Sequence, residues 1–130
     1  MPSEAEDFMA LASSLLGDGK VSEAHRRAAI NRAYYAAYHE ALSFADDSDL
    51  EIVRSNTGSH QQLVARFSSA GKRHKIIGDR LAALKKMRAD ADYKIEQTIS
   101  TPDAQKHIQG CQRLIQELMR LRESRLANVK

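Results

Sequence analysis

An arginine occupies one position of an otherwise apolar helical stripe. The stripe recurs at intervals of three and four residues, as expected for one face of a helix, and consists of Ile77, Leu81, Leu84, Arg88, Ala91 and Ile95. A guanidinium keeps its charge and is costly to bury without a partner. Arg88 therefore either pairs with Asp92 one turn further along, extends to solvent at the edge of the fold, or binds an anion such as phosphate in a cleft between helices.

A row of polar and aromatic residues lies along one face of another predicted helix. Asn31, Tyr35 and His39 are spaced by four residues, and Arg32 lies beside them, opposite the apolar face. Aromatic rings can stack on nucleobases, and arginine can hold phosphate. The same residue types are enriched in subunit interfaces, so the row is equally compatible with a dimer interface or with a solvated helix face.

Positive charge is concentrated in one segment of the sequence. The chain has a net charge of +3, but residues 72–94, which include Lys85, hold eight lysines and arginines against three aspartates. Such a surface is compatible with a polyanion as partner, although a solvated helix surface gives the same pattern.

The remaining titratable residues match no familiar catalytic or metal-binding motif. The five histidines include no pair at four-residue spacing with a glutamate between them, as helical zinc sites require. The acidic residues between Asp46 and Glu51 lack the glycine and closing glutamate of a calcium loop. Phosphate-binding glycine loops and nucleophile motifs are also missing from the sequence. We therefore expect neither a metal nor a cofactor.

Composition predicts a single helical domain in a reducing compartment. The 130 residues suit one domain over residues 1–130, with a core from about residue 3 to 126. Cys111 is the only cysteine, so an intrachain disulfide is excluded. The apolar runs are too short to cross a bilayer and the acidic start does not resemble a signal peptide, so a cytoplasmic protein without a membrane segment is expected.

Capping and helix-breaking residues predict an all-α fold, an antiparallel bundle of four to five helices. Serines 3, 22 and 59 are predicted to cap the first three helices, and Thr101, followed by Pro102, the last. The predicted helices cover approximately residues 3–16, 22–47, 59–67, 73–99 and 101–123, with fraying after that. The predicted inner face of the second helix consists of Ile30, Ala33, Tyr34, Ala37, Ala41, Phe44 and Ala45. That of the last helix consists of Ile108, Cys111, Ile115, Leu118 and Leu121.

Three segments resemble, in order, parts of the HEPN domain family. Residues 26–41 (RRAAINRAYYAAYHEA) resemble its long second helix, and residues 57–67 (TGSHQQLVARF) resemble the segment after it. Residues 88–93 (RADADY) match the signature of one branch, an arginine followed by a terminal Ala-Asp-Tyr. The resemblance covers most of residues 22–98, and the last helix fits by length alone.

The resemblance implies a helical bundle that dimerises and brings two copies of the signature arginine into one cleft. Many members are metal-independent ribonucleases of toxin, antiviral or RNA-processing systems, and others are inactive partners of nucleotidyltransferases. In the active branch a histidine follows the arginine after four to six intervening residues. Here the corresponding positions hold Tyr93, Lys94 and Ile95, which leaves Arg88 as a source of positive charge without the usual acid–base group.

Two functions are consistent with this pattern. One is an RNA-directed protein of a toxin–antitoxin, defence or stress system, acting as a homodimer with weak or absent cleavage. The other is a non-catalytic dimeric interaction module that partners a nucleotidyltransferase-like protein. The candidate catalytic residues are Arg88 and His60, the latter requiring the fold to bring it to the site. The candidate nucleic-acid-binding residues are Arg88, Asp92, Tyr93, Arg32, Tyr35 and Lys85.

Overall fold

Five helices form all of the regular structure that the computed structural model describes. The described residues are 5–15, 23–52, 57–93 and 99–128, and they include no strand. The helices are α1 (Ala5–Leu15), α2 (Glu23–Asp47), α3 (Ser59–Ser68), α4 (Lys72–Tyr93) and α5 (Thr101–Asn128). The all-α prediction is therefore confirmed. None of these helices is long and apolar enough to cross a lipid bilayer.

Several helix boundaries differ from the sequence prediction, and α5 continues to Asn128, where fraying after about residue 123 was expected. Gly58, not Ser59, is the N-cap of α3, and it makes no side-chain hydrogen bond. Ser100, not Thr101, caps α5, because the Asp103 N–H donates to Ser100 Oγ at 3.1 Å. Ile99 is outside any helix, so α4 does not reach it. The predicted caps Ser3 and Ser22 lie outside the described residues.

All five helices contribute to one apolar core, and the predicted inner face of α2 is buried throughout. Four residues of this face are buried alanines, whose short side chains allow neighbouring helices to approach closely. On α5 the prediction was wrong at one position. Ile115 is only half-buried, whereas Leu114 is fully buried. His107, one turn before Cys111, is also buried in the core at 1% exposure.

Side-chain contacts fix the relative directions of α2 and α5. Arg26 Nε, near the start of α2, donates to the carbonyl oxygen of Ile99 at 2.5 Å, just before α5 begins. Near the other ends of these helices, Arg122 Nη1 donates to Asp47 Oδ2 at 2.8 Å. The two helices therefore run parallel, contrary to the antiparallel arrangement expected from sequence.

The other neighbours of α2 explain this direction. Phe44, late in α2, contacts Phe67 at the end of α3 and His74 at the start of α4. The α3 helix is thus parallel to α2, and α4 is antiparallel to it, as predicted. The connector at residues 48–58 joins the end of α2 to an α3 helix that begins beside the middle of α2, where His60 lies near Tyr34 and Tyr38. After α3, α4 and α5 alternate in direction, which makes α5 parallel to α2.

A buried arginine anchors α3 beside the C-terminal end of α2. Arg66 is 8% exposed. Its guanidinium donates to the Asp46 carboxylate at 2.9 Å and to the Leu50 carbonyl oxygen at 2.9 Å. These bonds tie α3 to both α2 and the first turn of the connector, and so fix the helix that carries His60.

The α3 and α4 helices approach each other closely at a glycine. A Cβ at Gly78 would lie 3.1 Å from the Val64 carbonyl oxygen and 3.2 Å from Phe67 Cβ. A larger residue would therefore separate the helices. This close approach brings the start of α3, with His60, toward the later part of α4.

Candidate functional site

Arg88 lies half-buried between α2 and α4. Its Nε donates to Asn31 Oδ1 at 3.2 Å. Its guanidinium carbon lies 5.4 Å from the centroid of the Tyr34 ring and 5.9 Å from that of Tyr35, which is within the range of cation–π attraction. Of the three alternatives for Arg88, extension into open solvent does not match this position, because the side chain lies against two aromatic rings. The side chain of Asp92, its predicted partner, lies outside the described residues.

Tyr34 connects Arg88 to His60. The Tyr34 side chain is 4% exposed, and its hydroxyl forms a hydrogen bond with His60 Nδ1 on α3. The centroids of these two rings lie 5.7 Å apart, and the Tyr38 ring lies 6.2 Å from each of them, stacked on His60. The fold therefore brings the two candidate catalytic residues into contact with one buried tyrosine.

The surroundings of His60 are electropositive and poorly hydrated. Burial, and then the charges of Lys85 and Arg88, lower the pKa of His60 from 6.5 to about 4. Burial also raises the pKa of the Tyr34 phenol above its usual value, and Arg88 only partly opposes this. At neutral pH the imidazole is therefore uncharged and the phenol keeps its proton.

These protonation states fit two tautomers of His60. In one, the Tyr34 phenol donates to Nδ1 and the proton of the neutral imidazole resides on Nε2; in the other, Nδ1 carries the proton and donates to the phenol oxygen. His60 Nε2 is buried and has no hydrogen-bond partner in the part of the chain that the structure describes. A buried donor without an acceptor costs about 1–3 kcal/mol. An anionic oxygen beside Lys85 and Arg88 would supply that acceptor.

The same geometry limits acid–base chemistry. A general acid or base works best when its pKa is near the operating pH. With a pKa of about 4, the His60 imidazole is a weak base and carries no second proton to donate at neutral pH. The arrangement is thus suited to holding an anion and poorly suited to proton transfer.

A cluster of aromatic rings adjoins this site on the outer side of α2. Tyr35 and His39 lie 5.7 Å apart, and Phe8 of α1 lies 6.1 Å and 5.9 Å from them. Tyr35 is 38% exposed, and His39 is exposed as well. The predicted row on α2 is therefore an aromatic surface to which α1 contributes a third ring.

The other candidates have different positions. Lys85 is half-buried and close enough to His60 to lower its pKa. Arg32 is exposed, and it takes no part in the contacts that hold Arg88 or His60. Tyr93 is in the last turn of α4, but its side chain, like that of Asp92, lies outside the described residues.

Sequence reasoning assigned Tyr34 only to the core and did not connect Asn31 with Arg88. A buried tyrosine hydroxyl usually has a hydrogen-bond partner, so Tyr34 itself signalled that a polar group lay nearby. Asn31 and Arg88 are 57 positions apart in sequence, and no local spacing indicates such a pair.

Among the described residues, no group of three or more histidine, cysteine, aspartate or glutamate side chains is placed to hold a metal ion. Comparisons of the chain with protein-family models, curated proteins and solved structures gave no match. The HEPN resemblance therefore depends on the three sequence segments alone.

Proposed function

We propose that this chain is a HEPN-like, RNA-directed protein that acts as a homodimer in a toxin–antitoxin, defence or stress system, with little or no cleavage activity. The main support is the position of Arg88, half-buried against Tyr34, which in turn is hydrogen-bonded to His60. The RNA group bound there is a backbone phosphate.

Three features favour phosphate as the ligand. Arg88 offers a planar set of donors that matches phosphate oxygens. In the tautomer with its proton on Nε2, His60 offers a buried donor that lacks an acceptor among the described residues. Lys85 adds a second positive charge near the same imidazole. In a poorly hydrated site these charges attract an anion more strongly than they would on an open surface.

Weak cleavage follows from the titration of His60. Attack by a 2′-hydroxyl requires one group to accept its proton and another to protonate the leaving oxygen, and each such group contributes about a hundred- to ten-thousand-fold. A histidine with a pKa of about 4 fills neither role well. Arg88 can still stabilise negative charge on the phosphate.

The first test is RNA binding measured by fluorescence anisotropy over a range of salt concentrations. Arg88→Ala should weaken binding by roughly tenfold or more and reduce the slope of log affinity against log salt by about one. Arg113→Ala is the matched control, since it removes an exposed arginine from α5 and should change affinity little. Circular dichroism establishes that each variant is folded. Unchanged binding by a folded Arg88→Ala protein would contradict the proposal.

The second test is RNA cleavage in the presence of a metal chelator. Wild-type protein and His60→Ala should both leave a mixed tRNA and total-RNA substrate largely intact. Rapid chelator-resistant cleavage that His60→Ala abolishes would show instead that the protein is an efficient ribonuclease.

A second candidate function is the non-catalytic module that partners a nucleotidyltransferase-like protein. The observation that favours it is that Arg88 already contacts Asn31, Tyr34 and Tyr35, so it helps to hold α4 against α2. In that case Arg88→Ala unfolds the domain and the wild-type protein ignores RNA even at low salt. Stable co-purification with such a partner would then identify the module.

A further inference from the structure

Three aromatic rings on the outer side of α1 and α2 face nearly the same direction. The planes of Phe8, Tyr35 and His39 are within 29° of one another in every pair, and their centroids are between 5.7 and 6.1 Å apart. Rings at this spacing with nearly parallel planes are stacked on one another with an offset. We refer to these three residues as the aromatic platform.

The aromatic platform adjoins the Arg88 site directly. Tyr35 belongs to both, because the Arg88 guanidinium carbon lies 5.9 Å from the centroid of its ring. An anion at Arg88 is thus one side chain away from an aromatic surface. Phosphate and base are joined through a ribose in every nucleotide, so this juxtaposition matches the two chemically different ends of one nucleotide.

We propose that the aromatic platform stacks against the base of an unpaired nucleotide whose phosphate is held by Arg88. This inference rests on the RNA-directed function proposed above and specifies its substrate class as single-stranded RNA. In a duplex, base stacking covers the faces of the bases, and the deep major groove of RNA restricts access to their edges. An unpaired base can turn outward and place its face on protein rings.

The exposure of the rings is consistent with this role. Tyr35 is 38% exposed. His39, one turn later, is exposed too, whereas Phe8 is half-buried and supports the other two from α1. Stacking tolerates any base, since every base has a π face, so the platform should show little sequence preference.

A second copy of the chain is the competing occupant. Leu11, one turn after Phe8, is 44% exposed and extends the surface with an aliphatic side chain. The charge of Arg88 and Lys85 beside the platform favours an anionic ligand over the same face of another basic subunit. Self-association is therefore measured alongside RNA binding.

The test compares three short RNA probes of the same length and mixed sequence. The first is single-stranded with 2-aminopurine at a central position, the second has an abasic site there, and the third is a duplex. Wild-type protein should bind the first probe more tightly than the other two and should quench its 2-aminopurine fluorescence. Tyr35→Leu and His39→Ala should weaken binding to the first probe, together by roughly 5- to 100-fold. His39→Ala should leave the abasic probe nearly unaffected, whereas Tyr35→Leu also removes a ring that contacts Arg88 and should weaken that probe slightly. Met119→Ala, an exposed position on α5, is the control.

The outcomes separate this inference from the function on which it rests. If wild-type protein binds the abasic and normal strands equally but Arg88→Ala still weakens both, the protein binds RNA through Arg88 and the aromatic platform does not stack against a base. If none of the probes shows Arg88-dependent binding, the proposed function fails and the platform with it. If Tyr35→Leu changes only the sedimentation behaviour of the protein, the surface joins two subunits and the inference is wrong.

Discussion

Two arginines lie over aromatic rings of α2 at nearly equal distances. Arg88 is 5.4 Å from the Tyr34 ring in the first half of the helix, and Arg122 is 5.5 Å from the Phe44 ring near its end. Both come from other helices and both help to hold those helices against α2. The geometry of the cation–aromatic contact therefore does not distinguish the two sites.

The electrostatic surroundings of the two arginines do distinguish them. Arg122 donates to the Asp47 carboxylate at 2.8 Å, and the nearby Arg66 donates to the Asp46 carboxylate at 2.9 Å. At the other site, Lys85 and Arg88 both lower the pKa of His60, which indicates a positive potential there. An arginine that lies over an aromatic ring is thus a candidate anion site only where the neighbouring charges are positive as well.

Loss of stability in acid is the largest effect expected. Burial lowers the pKa of His107 from 6.5 to about 4. Burial together with nearby positive charge also lowers the pKa values of His60 and His74. Between these pH values the unfolded chain binds more protons than the folded one. Stability is therefore full above pH 6.5 and decreases as the pH falls toward 4, by about 3 kcal/mol from His107 alone.

Denaturant unfolding at several pH values measures this loss. His107→Leu removes the titrating group that lies deepest in the core and should make the dependence on pH shallower over the same interval. A stability that stays constant from pH 6.5 to 4 would contradict the buried, neutral state of these histidines.

Removal of the arginine contacts at the C-terminal end of α2 is expected to give the next largest loss of stability. Arg66→Ala removes the donors to Asp46 and to the Leu50 carbonyl oxygen and leaves a space in the core, so stability should fall by about 2 kcal/mol. RNA affinity of the folded protein should change little, since this cluster is structural. An effect of Arg66→Ala on RNA binding as large as that of Arg88→Ala would remove the distinction between the two ends.

The smallest changes in stability are expected on substitution of two glycines that lie where helices pack against each other. In Gly78→Ala the new methyl would be 3.1 Å from the backbone oxygen of Val64, and α3 must shift, at a cost of about 1–2 kcal/mol. In Gly110→Ala the nearest atom is the flexible end of Leu84 at 3.2 Å, which can move. Gly110→Ala should thus be neutral or slightly stabilising because alanine favours the helix. Thermal unfolding of the pair measures the difference, and equal changes would show that α3 is free to shift.

Sequence predicted the helices and their buried faces because apolar spacing carries that information locally. The inner face of α2 and the buried Ile77, Leu81 and Leu84 of α4 are confirmed. The caps of α3 and α5 were assigned one residue too late, since adjacent serine, threonine and glycine residues are nearly equivalent as caps in sequence. The direction of α5 depended on the length of the connector and on contacts between residues far apart in the chain.

The candidate site was only partly predictable for the same reason. Arg88 was identified from its place among apolar residues, and His60 from a resemblance to a family segment. Their common contact, Tyr34, had the periodicity of an ordinary core residue. Its hydrogen bond to His60 and the approach of Asn31 to Arg88 follow from tertiary packing. Phe8 joins the aromatic surface from α1, and no local spacing in the sequence links it to Tyr35 or His39.

The titration of His60 tests the central claim most directly. Its ring protons can be followed by NMR against pH in the free protein and with a short single-stranded RNA bound, with His107 as an internal reference. A phosphate beside Arg88 and Lys85 offsets the charges that lower the pKa of His60 from 6.5 to about 4, so RNA should move that pKa upward and leave His107 unchanged. An RNA that binds at saturation while His60 still titrates near 4 would place the phosphate elsewhere and contradict the assignment of this site.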